Sequence, residues 1–177
     1  KLGGAIGDEY AKPQGRISYV RYTDVADTAW CAEAVNYVSD KELMKGVGTG
    51  FDPNGALTRG MLVTVLYRMA GSPKVEGKVS EKFSDCTDGS WYADAVLWAS
   101  ANKVVDGYED GTFRPGRAIT RQEMAVMFYG MLFGTDSILA EDDIKLALGA
   151  FKDGDTVASW AREAVAVCYI SGIMVGD

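Results

Sequence analysis

Three times along the chain, apolar residues recur on one side of a 3.6-residue turn directly after a tryptophan. Counted from Trp30, the fourth, fifth, seventh and eighth positions are Ala34, Val35, Tyr37 and Val38. From Trp91 they are Ala95, Val96, Trp98 and Ala99, and from Trp160 they are Ala164, Val165, Val167 and Cys168. This spacing predicts an amphipathic helix in each copy, with the tryptophans read as core residues. Ser90 and Ser159 precede their tryptophans and are expected to cap those helices. Gly46 and Gly107 fall where a helix stop is expected. A second helix is predicted from Thr58 and again from Thr120. Its stripe is Leu62, Val65, Leu66 and Met69 in one copy, and Met124, Met127, Phe128 and Met131 in the other.

Other signals keep the same order. Tyr22-Thr23-Asp24, Phe83-Ser84-Asp85 and Phe151-Lys152-Asp153 open the three copies, and Phe51-Asp52-Pro53 matches Phe113-Arg114-Pro115. The prolines and glycines predict a turn-rich loop pinned by its phenylalanine. The chain therefore reads as all-α, built from tandem helix-loop-helix units. The units are expected at 22–71, 83–133 and 151–177, with linkers at 1–21 and 72–82 and a connection at 134–150 in which "DDIKLALGA" is a short helix. The third unit is incomplete. Its proline loop, Thr-Arg pair and second helix are missing, and these are expected to be cut away or to lie beyond Asp177. A stable third unit then needs those residues, or a partner to cover the stripe around Trp160.

The chemistry worth weighing sits at "ALTRGML" and "AITRQEM". Thr58 and Thr120 are placed as N-caps, and Glu123 completes a Thr-x-x-Glu capping box in the second copy, where the first has Met61. Arg59 and Arg121 then occupy the first helical position, where the helix dipole is positive and a cation is disfavoured by roughly 0.3–1 kcal/mol. Something negative must compensate. Two sources fit: an internal Asp or Glu, or an external carboxylate or phosphate held jointly by backbone N–H groups and the guanidinium.

Charge and composition narrow the classes. A formal net charge of −7, with no basic stripe, argues against nucleic acid. No apolar run is long enough to cross a bilayer. The absence of histidine removes Ser-His-Asp and Cys-His catalysis and histidine-containing zinc sites. Cys31, Cys86 and Cys168 are scattered and read as buried thiols, so neither a metal nor another cofactor is expected. "DGYEDG" places Asp106, Asp110 and Gly111 like a calcium loop, but Tyr108 and Arg117 occupy ligand positions, and a glycine turn is the better reading. Nothing sets two carboxylates across a cleft as glycoside hydrolysis needs. The chain starts at Lys1 without a leader, so it is expected to be processed or excised.

The order aromatic-x-Asp, Trp, Ala-Val, Gly, Phe-x-Pro, Ile/Leu-Thr-Arg resembles the S-layer homology repeat, and "FRPGRAITRQEMA" is similar to its most distinctive stretch. That resemblance implies a pseudo-threefold, three-pronged helical bundle that anchors exported proteins at the bacterial cell wall, outside the cell. The implied partner is an acidic secondary cell-wall polysaccharide, often bearing a pyruvate ketal, with the Thr-Arg arginines in grooves between prongs. The ligand-binding residues so implied are Arg59 and Arg121 for the acid, with Thr58 and Thr120 fixing the helix starts. Gly46, Gly48, Gly107 and Tyr108 form the approach loops, and Trp91 and Trp160 the groove walls. No enzymatic activity and no membrane insertion are expected. The alternative is a self-associating subunit of a surface layer or appendage, or one that pairs with other surface proteins. Gly60-Met61 departs from the family's Ala-Glu at those places.

Overall fold

The computed structural model describes residues 22–134, 136 and 138–176. The expected linker 1–21 and the terminal Asp177 lie outside the described residues. Seven α-helices follow in order among the described residues: α1 (Ala32–Asp40), α2 (Arg59–Met69), α3 (Val79–Lys82), α4 (Ala93–Ala101), α5 (Arg121–Phe133), α6 (Glu141–Leu148) and α7 (Arg162–Ile170). No strand occurs among the described residues, and the protein is all-α. The stretch 72–82, read as a polar linker, carries α3, whose Val79 is buried. The short helix expected at "DDIKLALGA" is α6.

The repeats pack across their boundaries. The second helix of one repeat lies on the first helix of the next: α2 on α4, and α5 on α7. Leu62, Val63 and Leu66 of α2 meet Ala95, Val96 and Ala99 of α4, with Phe113 and Met127 closing the cluster. Farther along, Ala125 of α5, Ile144 and Leu148 of α6, and Ala164, Val165 and Cys168 of α7 share a second core. So the stripe of the third repeat is not bare. α5 and α6, from the same chain, cover it.

Three local expectations change. The first helices do not stop at Gly46 and Gly107. They end earlier, in a repeated left-handed turn at Glu42, Lys103 and Gly172. There Leu43, Val104 and Ile173 donate back to the carbonyls of Val38, Ala99 and Cys168 at 2.8, 2.8 and 2.9 Å, the bond pattern of a Schellman end. Neither Ser90 nor Ser159 caps a helix: α4 and α7 begin after Tyr92 and Ala161, without a side-chain cap. And the motif tryptophans are not core. Trp30, Trp91 and Trp160 are 87%, 62% and 59% exposed, whereas Trp98 is buried. The physical reason is register: each first helix begins two residues past its tryptophan, so the indole stands outside the helix and off its stripe. The three cysteines are buried free thiols. Burial pushes the Cys86 thiol up to about 12, with Asp85 adding to the effect, and the Cys168 thiol to about 11.

The aromatic-x-Asp motif has a clear task. Asp24 accepts from the amides of Phe51 and Asp52, both at 2.8 Å. Asp85 accepts from those of Phe113 (2.8 Å) and Arg114 (2.7 Å). Each carboxylate thus holds a loop nearly thirty residues away, including a residue at positive φ, Asp52 at 57° and Arg114 at 59°, where non-glycine residues are uncommon. The same bonds hold Asp24 below the usual carboxylate range. The loop in turn seats Phe113, which is fully buried. Replacing Asp85 by Ala removes two charge-assisted bonds and is expected to destabilise the fold by about 1–3 kcal/mol, read as a lower urea midpoint by circular dichroism.

Candidate functional site

Arg59 starts α2, yet it is only 6% exposed. Thr58 caps the helix, accepting from the Met61 amide at 3.2 Å. The amides of Arg59 and Gly60 donate to the carbonyls of Arg117 (3.0 Å) and Pro115 (2.9 Å), which belong to the proline loop of the second repeat. That loop therefore caps α2 from outside its own repeat. It lies so close that a Cβ on Gly60 would sit 3.0 Å from the Pro115 oxygen. With these amides satisfied by carbonyls, the tip of α2 is not the open anion cradle of amides and guanidinium that the Thr-Arg pair suggested.

The guanidinium follows the same path. Nε of Arg59 donates to the Phe113 carbonyl at 2.9 Å, and Nη1 to Glu123 Oε1 at 3.3 Å. Its Cζ lies 4.7 Å from the Tyr108 ring centre and 4.9 Å from that of Phe113, within reach of cation–π attraction. Nη2 donates to no partner among the described residues. The internal carboxylate is therefore the compensation at Arg59.

Glu123 is the hub. Thr120 and Glu123 form the expected capping box at the start of α5. One oxygen of Glu123 accepts from the Thr120 amide (3.0 Å) and hydroxyl (2.8 Å), the other from the Tyr108 hydroxyl (2.8 Å) and from Arg59. Arg117 Nη2 also bonds both Glu123 and the Tyr108 hydroxyl. Burial alone would raise the Glu123 carboxyl. The Thr120 amide, the Tyr108 and Thr120 hydroxyls and the Arg117 charge outweigh it and hold the group at about 2. Burial and the bond to Glu123 raise Tyr108, which stays a donor.

Among the described residues, two of the cavities between repeats share one plan, and these residues wall the first of them. The first, of about 490 Å³, is lined by Arg59, Val104, Asp106, Gly107, Tyr108, Glu123, Met127 and Trp160. It draws α2 from the first repeat, loop and α5 from the second, and an indole from the third. The other, of about 300 Å³, is lined by Leu43, Lys45, Gly46, Val47, Phe51, Met61, Arg68 and Trp91. The two follow one plan, offset by a repeat: Gly46 matches Gly107, Val47 matches Tyr108, Met61 matches Glu123 and Trp91 matches Trp160.

The structure thus brings Arg59, Gly107, Tyr108 and Trp160 together, and separately Gly46 and Trp91. Gly48 lines neither cavity. At Gly46 and Gly107 the absent side chain serves the fold: φ is 65° and 79°, and a Cβ would fall 2.5 Å from Tyr22 and 2.4 Å from Phe83. Arg121 stands apart. It is exposed, and Nη2 donates to the Val175 carbonyl at 2.7 Å, toward the third repeat. Of the described arginines, Arg68 and Arg121 have no carboxylate within ion-pairing distance. Sequence reasoning missed Glu123 as a wall residue, having used it only as a cap, missed Arg117 as its partner, having used it only against a calcium loop, and missed Arg68 altogether. For Arg68 a signal existed: it interrupts the apolar run of α2 where the matched residue of α5 is Gly130.

The S-layer homology domain profile matches residues 21–60, 82–125 and 150–177. The chain belongs to the S-layer homology domain family. Its similarity to curated proteins is of the same kind. It is 31% identical over 123 residues to cell surface glycoprotein 1 of Acetivibrio thermocellus, covering 64% of this chain and 5% of that protein. It is 29% identical over 148 residues to the cellulosome-anchoring protein of the same organism, covering 78% and 32%. With the surface-layer 125 kDa protein of Lysinibacillus sphaericus it shares 27% over 151 residues, 85% and 12%. The chain spans a third or less of the length of these relatives. S-layer homology domains are extracellular modules that attach proteins at the bacterial surface, and that is where this chain belongs. No helix among the described residues is long and apolar enough to cross a membrane. Nor does any group of three or more Cys, Asp or Glu among them form a metal site.

Arg59 and Glu123 are an ion pair with side chains 7% and 11% exposed. Truncating Glu123 to Ala strands a buried guanidinium and is expected to cost about 3–5 kcal/mol at neutral pH. Because the folded carboxyl sits below its ordinary value of 4.5, its stabilisation is complete above that pH and fades as pH falls toward about 2. Urea melts across that window should show the gap between wild type and Glu123→Ala closing.

Proposed function

We propose that the domain anchors an exported protein non-covalently to the cell wall by binding an acidic, pyruvylated secondary cell-wall polysaccharide, without catalysis, on a pseudo-threefold frame of repeats. The observation that carries this reading is the convergence of Arg59, Gly107, Tyr108 and Trp160 on one cavity. An exposed indole offers an amphipathic face to a sugar ring. Opposite it, Arg59 Nη2 offers N–H donors to ring hydroxyls from a buried, fixed position. Tyr108 and Glu123 beside it are already held by hydrogen bonds to each other and to Thr120, so these walls are set before ligand arrives, which limits the ordering cost of binding.

The acidic group is assigned elsewhere than at Arg59, whose charge is matched by Glu123. Arg121 is exposed, lacks a carboxylate partner among the described residues and sits at a capped helix start. It can take a ketal carboxylate in the two-pronged geometry that lysine lacks. Thr58 and Thr120 set the helix starts from which both arginines project.

Pelleting with purified cell-wall sacculi tests the reading. Trp160→Ala removes a largely exposed side chain and is expected to leave the melting curve in place while weakening wall binding roughly tenfold. Arg121→Ala should weaken it further, with Arg121→Lys recovering only part. Unchanged pelleting of both alanine variants would overturn the assignment. Sedimentation that grows with protein concentration in the absence of wall material would instead support a self-associating surface subunit.

A further inference from the structure

The outer face of the third repeat differs in kind from that of the second. A groove of about 520 Å³ runs between α6 and the end of α7, walled by Leu139, Leu146, Tyr169 and Ile170, with Asp143 at its edge. Leu146 is 79% exposed and Ile170 59%. Counted from the motif phenylalanine and tryptophan, the second repeat carries Lys78, Ser100 and Ala101 where the third carries Leu146, Tyr169 and Ile170. Three polar or small residues have thus become large and apolar on one surface. Apolar residues exposed singly are ordinary, but a cluster of them marks a contact surface. Tyr169 is steadied for such a contact, its ring meeting that of Phe151 edge-on at 5.0 Å. Nor is this the side on which a repeat packs its own second helix. In the second repeat α5 presses on Lys103 and Val104 through Gly130, and Ala101 stays exposed. The place matched to Val104 is Ile173, outside the groove.

Two charges of opposite sign flank the apolar centre. The Asp143 carboxylate makes no ion pair or hydrogen bond among the described residues. Lys145 reaches only Asp142, at 3.9 Å, with both side chains largely in water, a contact worth little. A surface with an apolar centre and both signs beside it complements itself. We propose that this face binds a second copy of the chain, in a twofold pair. The contact is isologous, so what one copy offers the other receives. Leu146 of each copy seats in the groove of the other, against Tyr169 and Ile170. Lys145, next to it in the chain, comes to Asp143 of the other copy. Each apolar and each charged contact then occurs twice. The pair closes at two, unlike a layer subunit, which adds copies without limit. The Trp91 and Trp160 cavities share no residue with this groove, so pairing stands apart from the glycan reading above. Where both hold, a pair meets a repeating polymer at two places, which lengthens attachment without a new contact to it.

Sedimentation velocity of the whole chain across the micromolar range, without wall material, is expected to rise from the mass of one chain to that of two and to level there. Leu146→Glu and Ile170→Glu alter exposed side chains, so the melting curve should hold while pairing weakens roughly tenfold or more. Charge exchange is the sharper test. Lys145→Glu and Asp143→Lys should each pair poorly alone, because like charges then face one another twice. An equimolar mixture of the two should recover the pairing of the wild type. Trp160→Ala should pair normally. A mass that stays at one chain throughout, pairing unchanged in Leu146→Glu and Ile170→Glu, or a mixture that pairs no better than its parts overturns the proposal. Growth past two chains also overturns it and favours the surface subunit. Wall pelleting of the Trp160 and Arg121 variants is read separately, so either reading can fail alone.

Discussion

The buried ion pair between Arg59 and Glu123 is the constraint around which the second repeat is arranged. An arginine at the first position of a helix faces the positive end of the helix dipole, and here it is also removed from water. Either condition alone is unfavourable. Both are met by one loop. The carbonyls of Pro115 and Arg117 satisfy the amides of the helix tip, the carbonyl of Phe113 takes Nε, and Glu123 supplies the charge. Because that loop belongs to the next repeat, neither the helix start nor the loop is complete without the other. The ion pair thus turns two similar sequence units into one cooperative body.

The same geometry explains why the cavities lie between repeats. Each second helix buries its stripe against the first helix of the following unit, so a loop, a second helix and the next unit's tryptophan come to share a space. The tryptophan stands just before its helix, outside the register that buries the other apolar residues. It is therefore free to form a wall. On this common frame the two cavities have diverged in chemistry. One has its arginine paired with a carboxylate. The other is apolar, with an arginine whose charge is unmatched. Three positions account for most of the difference: Tyr108 against Val47, Glu123 against Met61, and Gly130 against Arg68.

Much of this was legible along the chain. The 3.6-residue stripes located the helices of the repeats, because a helix face records its burial as a local period. The Thr-x-x-Glu pattern located the start of α5, because capping involves residues only three apart. The aromatic-x-Asp motif was visible as a repeat, but not its purpose, since its hydrogen bonds reach nearly thirty residues forward. The glycines at 46 and 107 do not stop their helices, as a local pattern suggests; Tyr22 and Phe83 press on the backbone there, a contact no local pattern encodes.

What the sequence determined by itself was the all-α class, the repeat, the capped helix starts and the oddity of a cation at a helix tip. All of these depend on residues within a turn or two of one another. Which partner answers that cation was decided only by the tertiary structure, because Glu123 lies 64 positions from Arg59 and competes with every other acid in an acidic chain. The same holds for the exposure of Trp91 and Trp160 and for the unmatched charge of Arg68. Burial and pairing are properties of the space between elements, and that space exists only once the repeats have packed.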